Sequence, residues 1–104
     1  MTIDDFCTVL DGLTGIPCRH YEFSEPTPAP CLVYYELDGE NIHADSVNVY
    51  DEVYIRVELY VKPTDSTSAA ALEALLTANG LSYDRERSWV SERGEVAIIY
   101  DITI

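Results

Sequence analysis

Residues 51–62, D-E-V-Y-I-R-V-E-L-Y-V-K, alternate without a break. Val53, Ile55, Val57, Leu59 and Val61 fall on one parity, and Glu52, Tyr54, Arg56, Glu58, Tyr60 and Lys62 on the other. Successive side chains of an extended chain point to opposite faces. The pattern therefore predicts a strand with one face on an apolar core and the other wet or at an interface. Residues 95–104 repeat it, with Val96, Ile98, Tyr100, Ile102 and Ile104 pointing one way. The apolar last residue predicts a C-terminus tied into the sheet.

Outward from these two strands, C-L-V-Y-Y-E-L (31–37) is β-branched and aromatic and reads as another strand. Leu32 and Tyr34 oppose Val33 and Tyr35, so it is apolar on both sides as far as Glu36. That suits a strand held between a core and either a helix or another subunit. The preceding S-E-P-T-P-A-P (24–30) is a stiff connector, because proline fixes φ and removes a ladder donor. A short strand is expected within 17–23, a turn at D-G-E-N (38–41) and a loop over 42–50. Residues 81–90 form a further strand, with Leu81, Tyr83 and Trp89 on one parity, interrupted by Arg85 and Arg87. S-E-R-G (91–94) turns it into the last strand.

Two segments have helical spacing. Ile3, Phe6, Cys7, Leu10 and Leu13 make one apolar stripe, with Thr2 as the cap and Asp4 and Asp5 at the positive end of the first turn. Gly12, Gly15 and Pro17 end it. A second helix starts at a cap on Asp65 or Ser66 and runs to about Asn79, with Ala69, Leu72, Leu75 and Leu76 inward and Asn79-Gly80 as its stop. The order α-β-β-β-α-β-β predicts an α+β domain spanning 1–104, in which a mainly antiparallel sheet is flanked by two helices on one face.

Six basic residues stand against 19 acidic ones, a formal charge of −13. A basic face that grips phosphates is not expected, nor is attraction to anionic membranes. No apolar run reaches the ~20 residues that span a bilayer. The acidic start, M-T-I-D-D-F, lacks the basic region of a secretory signal, so a cytosolic, soluble protein is expected. Cys7, Cys18 and Cys31 form neither a disulfide framework nor a zinc pattern.

Catalytic, cofactor and metal residues are not expected. His20 and His43, with Cys18, Glu22 or Asp45, have no ligand spacing, and Cys18 beside His20 makes at most an incomplete nucleophile pair. Asp45 and Asp51 bracket a loop that lacks the glycine and spacing of a calcium loop. Nucleotide-binding and hydrolase signatures are missing. Tyrosine is the unusual quantity, with eight in 104 residues. Tyrosine and arginine are enriched at protein interfaces, which makes Tyr34, Tyr35, Tyr54, Arg56 and Tyr60 the interface candidates. Ordinary cross-strand packing of tyrosines is the bland alternative.

The ordered features are the short N-terminal helix, Pro-x-Pro running into C-L-V-Y-Y-E, A-D-S-V-N-V-Y, E-L-Y-V-K-P-T-D, L-E-A-L-L-T-A-N-G and the hairpin around S-E-R-G. Taken together they resemble the small tail-terminator or tail-completion proteins of long-tailed bacteriophages and prophages. The resemblance implies a structural protein of the virion tail or neck, assembled in the host bacterial cytoplasm. It implies a ring, commonly a hexamer, that caps the tail tube and contacts tail-tube protein and head connector protein while DNA passes through its centre. It implies no catalytic residue, cofactor or sequence-specific nucleic-acid binding. Segments 51–62 and 95–104 offer sheet edges or faces for a closing heterologous contact. An acidic module that mimics DNA to inhibit a DNA-binding protein is the alternative reading of the charge.

Overall fold

The computed structural model describes residues 2–22, 27–37, 54–90 and 94–104, with 89 and 90 as backbone only. In chain order the elements are α1 (Ile3–Leu10), β1 (Cys18–His20), β2 (Cys31–Glu36), β3 (Tyr54–Val61), α2 (Ser68–Ala78), β4 (Tyr83–Val90) and β5 (Glu95–Thr103). The α+β class and the α-β-β-β-α-β-β order are those expected. The turn at 38–41, the loop at 42–50, the start of the 51–62 strand, residues 24–26 of the proline connector and most of the 91–94 turn lie outside the described residues.

The five strands form one sheet in the order β1-β2-β3-β5-β4. β2–β3, β3–β5 and β5–β4 are antiparallel, and β1 runs parallel to β2 with Cys18 beside Leu32 and His20 beside Tyr34. This corrects one expectation: the strands within 51–62 and 95–104 are interior and offer faces but no edges. β2 covers one side of β3, and the tight β4–β5 hairpin puts β4 outside β5. Among the described residues β1 and β4 are the edge strands.

Alternation produces the core. Along β3, Ile55, Val57, Leu59 and Val61 are buried while Tyr54, Arg56, Glu58 and Tyr60 are half-buried. On β5, Val96, Ile98, Tyr100 and Ile102 are buried on the same side. Phe6 and Leu10 of α1 and Leu72 and Leu76 of α2 close over these residues, with Leu32 and Tyr34 of β2 in the same cluster. Burying a large apolar side chain contributes ~1.5–3 kcal/mol, so this layer dominates the stability.

Both helices carry their own start and stop signals. At α1 the Thr2 side chain accepts the Asp5 N–H, and the Asp5 carboxylate accepts the Thr2 N–H, a reciprocal capping box. At α2 the carboxylate of Asp65 accepts the backbone N–H groups of Thr67 and Ser68 at 2.9 and 3.0 Å and the Ser68 hydroxyl at 2.6 Å. α2 ends where Gly80 takes φ 72°. The Leu81 N–H then bonds the Leu76 carbonyl and the Gly80 N–H bonds the Thr77 carbonyl, which satisfies two terminal acceptors.

Candidate functional site

The sheet has two unlike faces. Strand register places Val33, Tyr35, Arg56, Glu58, Tyr60, Ile99, Asp101, Asp84 and Glu86 on the face away from the helices. Among the described residues no helix lies on that face. Its cross-strand rows read Tyr35–Arg56–Asp101–Asp84 and Val33–Glu58–Ile99–Glu86.

These rows are knitted by polar contacts. The Arg56 guanidinium donates two hydrogen bonds to Asp101, at 2.8 and 3.2 Å, in the bidentate geometry that fixes both side chains. Both partners are about two-fifths exposed, so the pair contributes orientation more than stability. Asp101 holds the guanidinium firmly protonated, above its already high ordinary value. Glu58 accepts the hydroxyls of Tyr35 and Tyr60, one on each oxygen. Burial, followed by the bond to Glu58, pushes the Tyr35 phenol up, so it stays a donor at any physiological pH. Arg56, Glu58, Asp84, Glu86, Ile99 and Asp101 line a shallow open depression. Carboxylates outnumber cations across it.

Of the interface candidates, Tyr35, Tyr54, Arg56 and Tyr60 share this open face. Tyr34 does not. It is 5% exposed and packs edge-on against Phe6, with ring centroids 5.8 Å apart, so it is a core residue. Because β2 is apolar on both sides, its alternation could not tell the helix side from the open side.

Cys18 and His20 each have other hydrogen-bond partners. The Cys18 thiol points to the Ile16 carbonyl at 3.4 Å. Burial, with Asp11 and Cys7 nearby, pushes it up to about 11, leaving a protonated, weakly nucleophilic thiol. The His20 Nε2 lies 2.7 Å from Glu36, and the ring stacks between Tyr21 and Tyr34. His43 and Asp45 lie outside the described residues. Among the described residues no three His, Cys, Asp or Glu side chains gather as for a metal ion, and no helix is long and apolar enough to cross a membrane.

Sequence reading missed the two sheet edges. β1 stops where Tyr21 adopts φ 75° and the Glu22 N–H bonds the His20 carbonyl, closing a strained three-residue turn. At the far edge, Asp84 and Glu86 share one face of β4 while Arg85 and Arg87 share the other. The signal was in the string D-R-E-R, whose charges alternate in sign with the period of a strand. Comparison with protein-family models, with curated proteins and with solved structures returns no match to this chain.

Proposed function

We propose that this protein is a structural subunit of a long-tailed phage tail or neck, a tail-terminator or tail-completion protein that works by assembling into a ring. The observation that carries the reading is the sheet itself. One side is sealed by two helices, the other is a polar face of tyrosines, arginine and carboxylates, and among the described residues no strand pairs with the outer edges of β1 and β4. In a ring with the helices outward, that acidic face turns to the centre. Fixed negative charge there repels the DNA backbone and lets it pass without sticking. Partners are further copies of the chain, tail-tube protein and the head connector. The role involves no turnover of a small molecule.

The test is to add the purified protein to tail tubes assembled from the tail-tube protein encoded in the same genome, and to image them by electron microscopy. Capped tubes of fixed length, with ring density at one end, are expected. Bare tubes that continue to grow at both ends would overturn the proposal.

A further inference from the structure

The hydrogen-bond phase of the sheet determines what each edge presents. The Leu37 N–H bonds the carbonyl of Tyr54 directly opposite it, so even-numbered β3 residues turn their backbone groups to β2 and odd-numbered ones to β5. Carried through the β3–β5 and β5–β4 registers, this phase turns the backbone groups of Tyr83, Arg85 and Arg87 outward from the β4 edge. At the other edge, β1 receives Leu32 N–H on the Pro17 carbonyl and gives Tyr21 N–H to the Tyr34 carbonyl. Cys18 and His20 therefore turn their backbone groups outward. Both of those carbonyls are occupied within the chain, Cys18's by its neighbour Arg19 at 2.9 Å and His20's by Glu22 N–H.

The β4 edge pairs poorly with its own copy about a two-fold axis centred on its charged residues. Such pairing keeps each face continuous, so residues of equal parity meet. Registers centred on residue 85 or 86 then set arginine against arginine on the helix side (Arg85 on Arg85, or Arg85 on Arg87) and carboxylate against carboxylate on the other side (Asp84 on Glu86, or Glu86 on Glu86). Like charges directly opposite across strands are destabilising. The β1 edge of a second copy removes both clashes. β1 and β4 run in opposite directions within the sheet, so β4 of one copy meets β1 of the next as an antiparallel pair. Cys18 and His20 then lie opposite Arg87 and Arg85, or one step along opposite Arg85 and Tyr83. In both registers the outward backbone groups and the faces agree. Arg19, on the open side beside Val33, comes opposite Glu86 or Asp84. On the helix side Glu36, bonded to His20, supplies acid near Arg85 and Arg87.

We infer that copies of this chain join head to tail by strand addition of β1 onto the β4 edge of the next copy, with Arg19 leaving the Cys18 carbonyl for Glu86 or Asp84. The contact is heterologous, the kind that generates rings when the rotation closes and filaments when it does not. It rests on the ring proposal and places the subunit contact at the edges, leaving the tyrosine-bearing face toward the centre.

Two charge-reversed variants test it, Arg19→Glu and the pair Asp84→Arg with Glu86→Arg. All three residues are exposed, and circular dichroism checks that each variant folds. Assembly is followed by sedimentation velocity, alone and with tail-tube protein. The inference predicts that wild type assembles and that each variant alone needs at least ~10-fold more protein to do so. It also predicts that an equimolar mixture of the two variants assembles again, because every edge then meets an opposite charge. If wild type assembles and the variants alone assemble equally well, the edge contact is wrong and the ring stands. If wild type stays monomeric even with tail-tube protein, the ring proposal falls and takes this contact with it.

Discussion

Glu73 is the residue whose loss should cost the fold most for the least change in volume. It sits on α2, with about a fifth of its side chain exposed. Its carboxylate accepts the hydroxyls of Tyr83 at 3.1 Å and Tyr100 at 2.7 Å and pairs with Arg85 at 2.7 Å. These three donors come from β4 and β5, so one side chain fastens the helix to two strands. Tyr100 is fully buried, and Glu73→Ala leaves its phenol without that acceptor. An unsatisfied buried donor costs about 1–3 kcal/mol, and a hydrogen bond to a charged group contributes about 1.5–3 kcal/mol. The half-exposed Arg85 adds under about 1 kcal/mol. Because these terms overlap, the expected loss for Glu73→Ala is about 3 kcal/mol. A domain of this size loses ~4–8 °C in Tm per kcal/mol, so the fall should exceed ~10 °C. Glu73→Gln keeps an acceptor and should lose about half as much. Denaturant unfolding of Glu73→Ala, Tyr100→Phe and the double variant measures the coupling directly. A loss below about 0.5 kcal/mol for Glu73→Ala, or additive single variants, would refute the clamp. The sign with pH also follows. Burial pushes the Glu73 carboxyl up, but the bonds from Tyr100, Arg85 and Tyr83 outweigh it and the folded value is lowered. The stabilisation is therefore complete above the ordinary carboxylate value, about 4.3, and is lost as pH falls through the lower folded value. Glu73→Gln should show a shallower loss of stability in acid.

Three further outcomes are expected. Asp65→Ala removes the acceptor for two N–H groups at the start of α2 and should cost about 1 kcal/mol by chemical denaturation. Bonds from Ser68 and Thr67 hold the Asp65 carboxyl at about 2, so its contribution persists above its ordinary value and disappears as pH drops toward 2. Asp65→Asn should flatten that part of the pH–stability curve. Gly80→Ala meets no atom within 4 Å but forces a side chain into φ 72°, so a loss of about 1–2 kcal/mol should come from the backbone alone. Tyr21→Gly should gain up to about 1 kcal/mol by relieving the strained turn at φ 75°, measurable as a higher Tm, and an unchanged or lower Tm would show that stacking on His20 outweighs the strain.

The parts of the fold legible in the sequence were those where one periodicity acted alone. β3 shows strict alternation because it meets core on one side only, and the end of α2 was legible because Asn79-Gly80 closes a helix by local backbone chemistry. What stayed hidden depended on neighbours far along the chain. The parallel placement of β1 against β2 is set by which strand borders which, and no local residue encodes that. Tyr34 read as an interface candidate because aromatic residues on both faces of β2 give alternation nothing to distinguish. Glu73 carries no signal in the sequence, since Tyr83, Arg85 and Tyr100 reach it only once the β4–β5 hairpin lies beneath α2. The Arg56–Asp101 pair spans 45 positions and exists only through the β3–β5 register. Arg56 was visible as a candidate, but its partner was not.

In the proposed assembly the sheet continues from one copy to the next through β4 and β1. Native mass spectrometry of the wild-type chain, alone and with tail-tube protein, over a wide range of protein concentration, tests that claim most directly. One discrete multiple of the 11.7 kDa chain mass is expected, with no prominent dimer, because the β4 edge repels its own copy. A strict monomer under both conditions, or a dimer that is the end point of assembly, would contradict it.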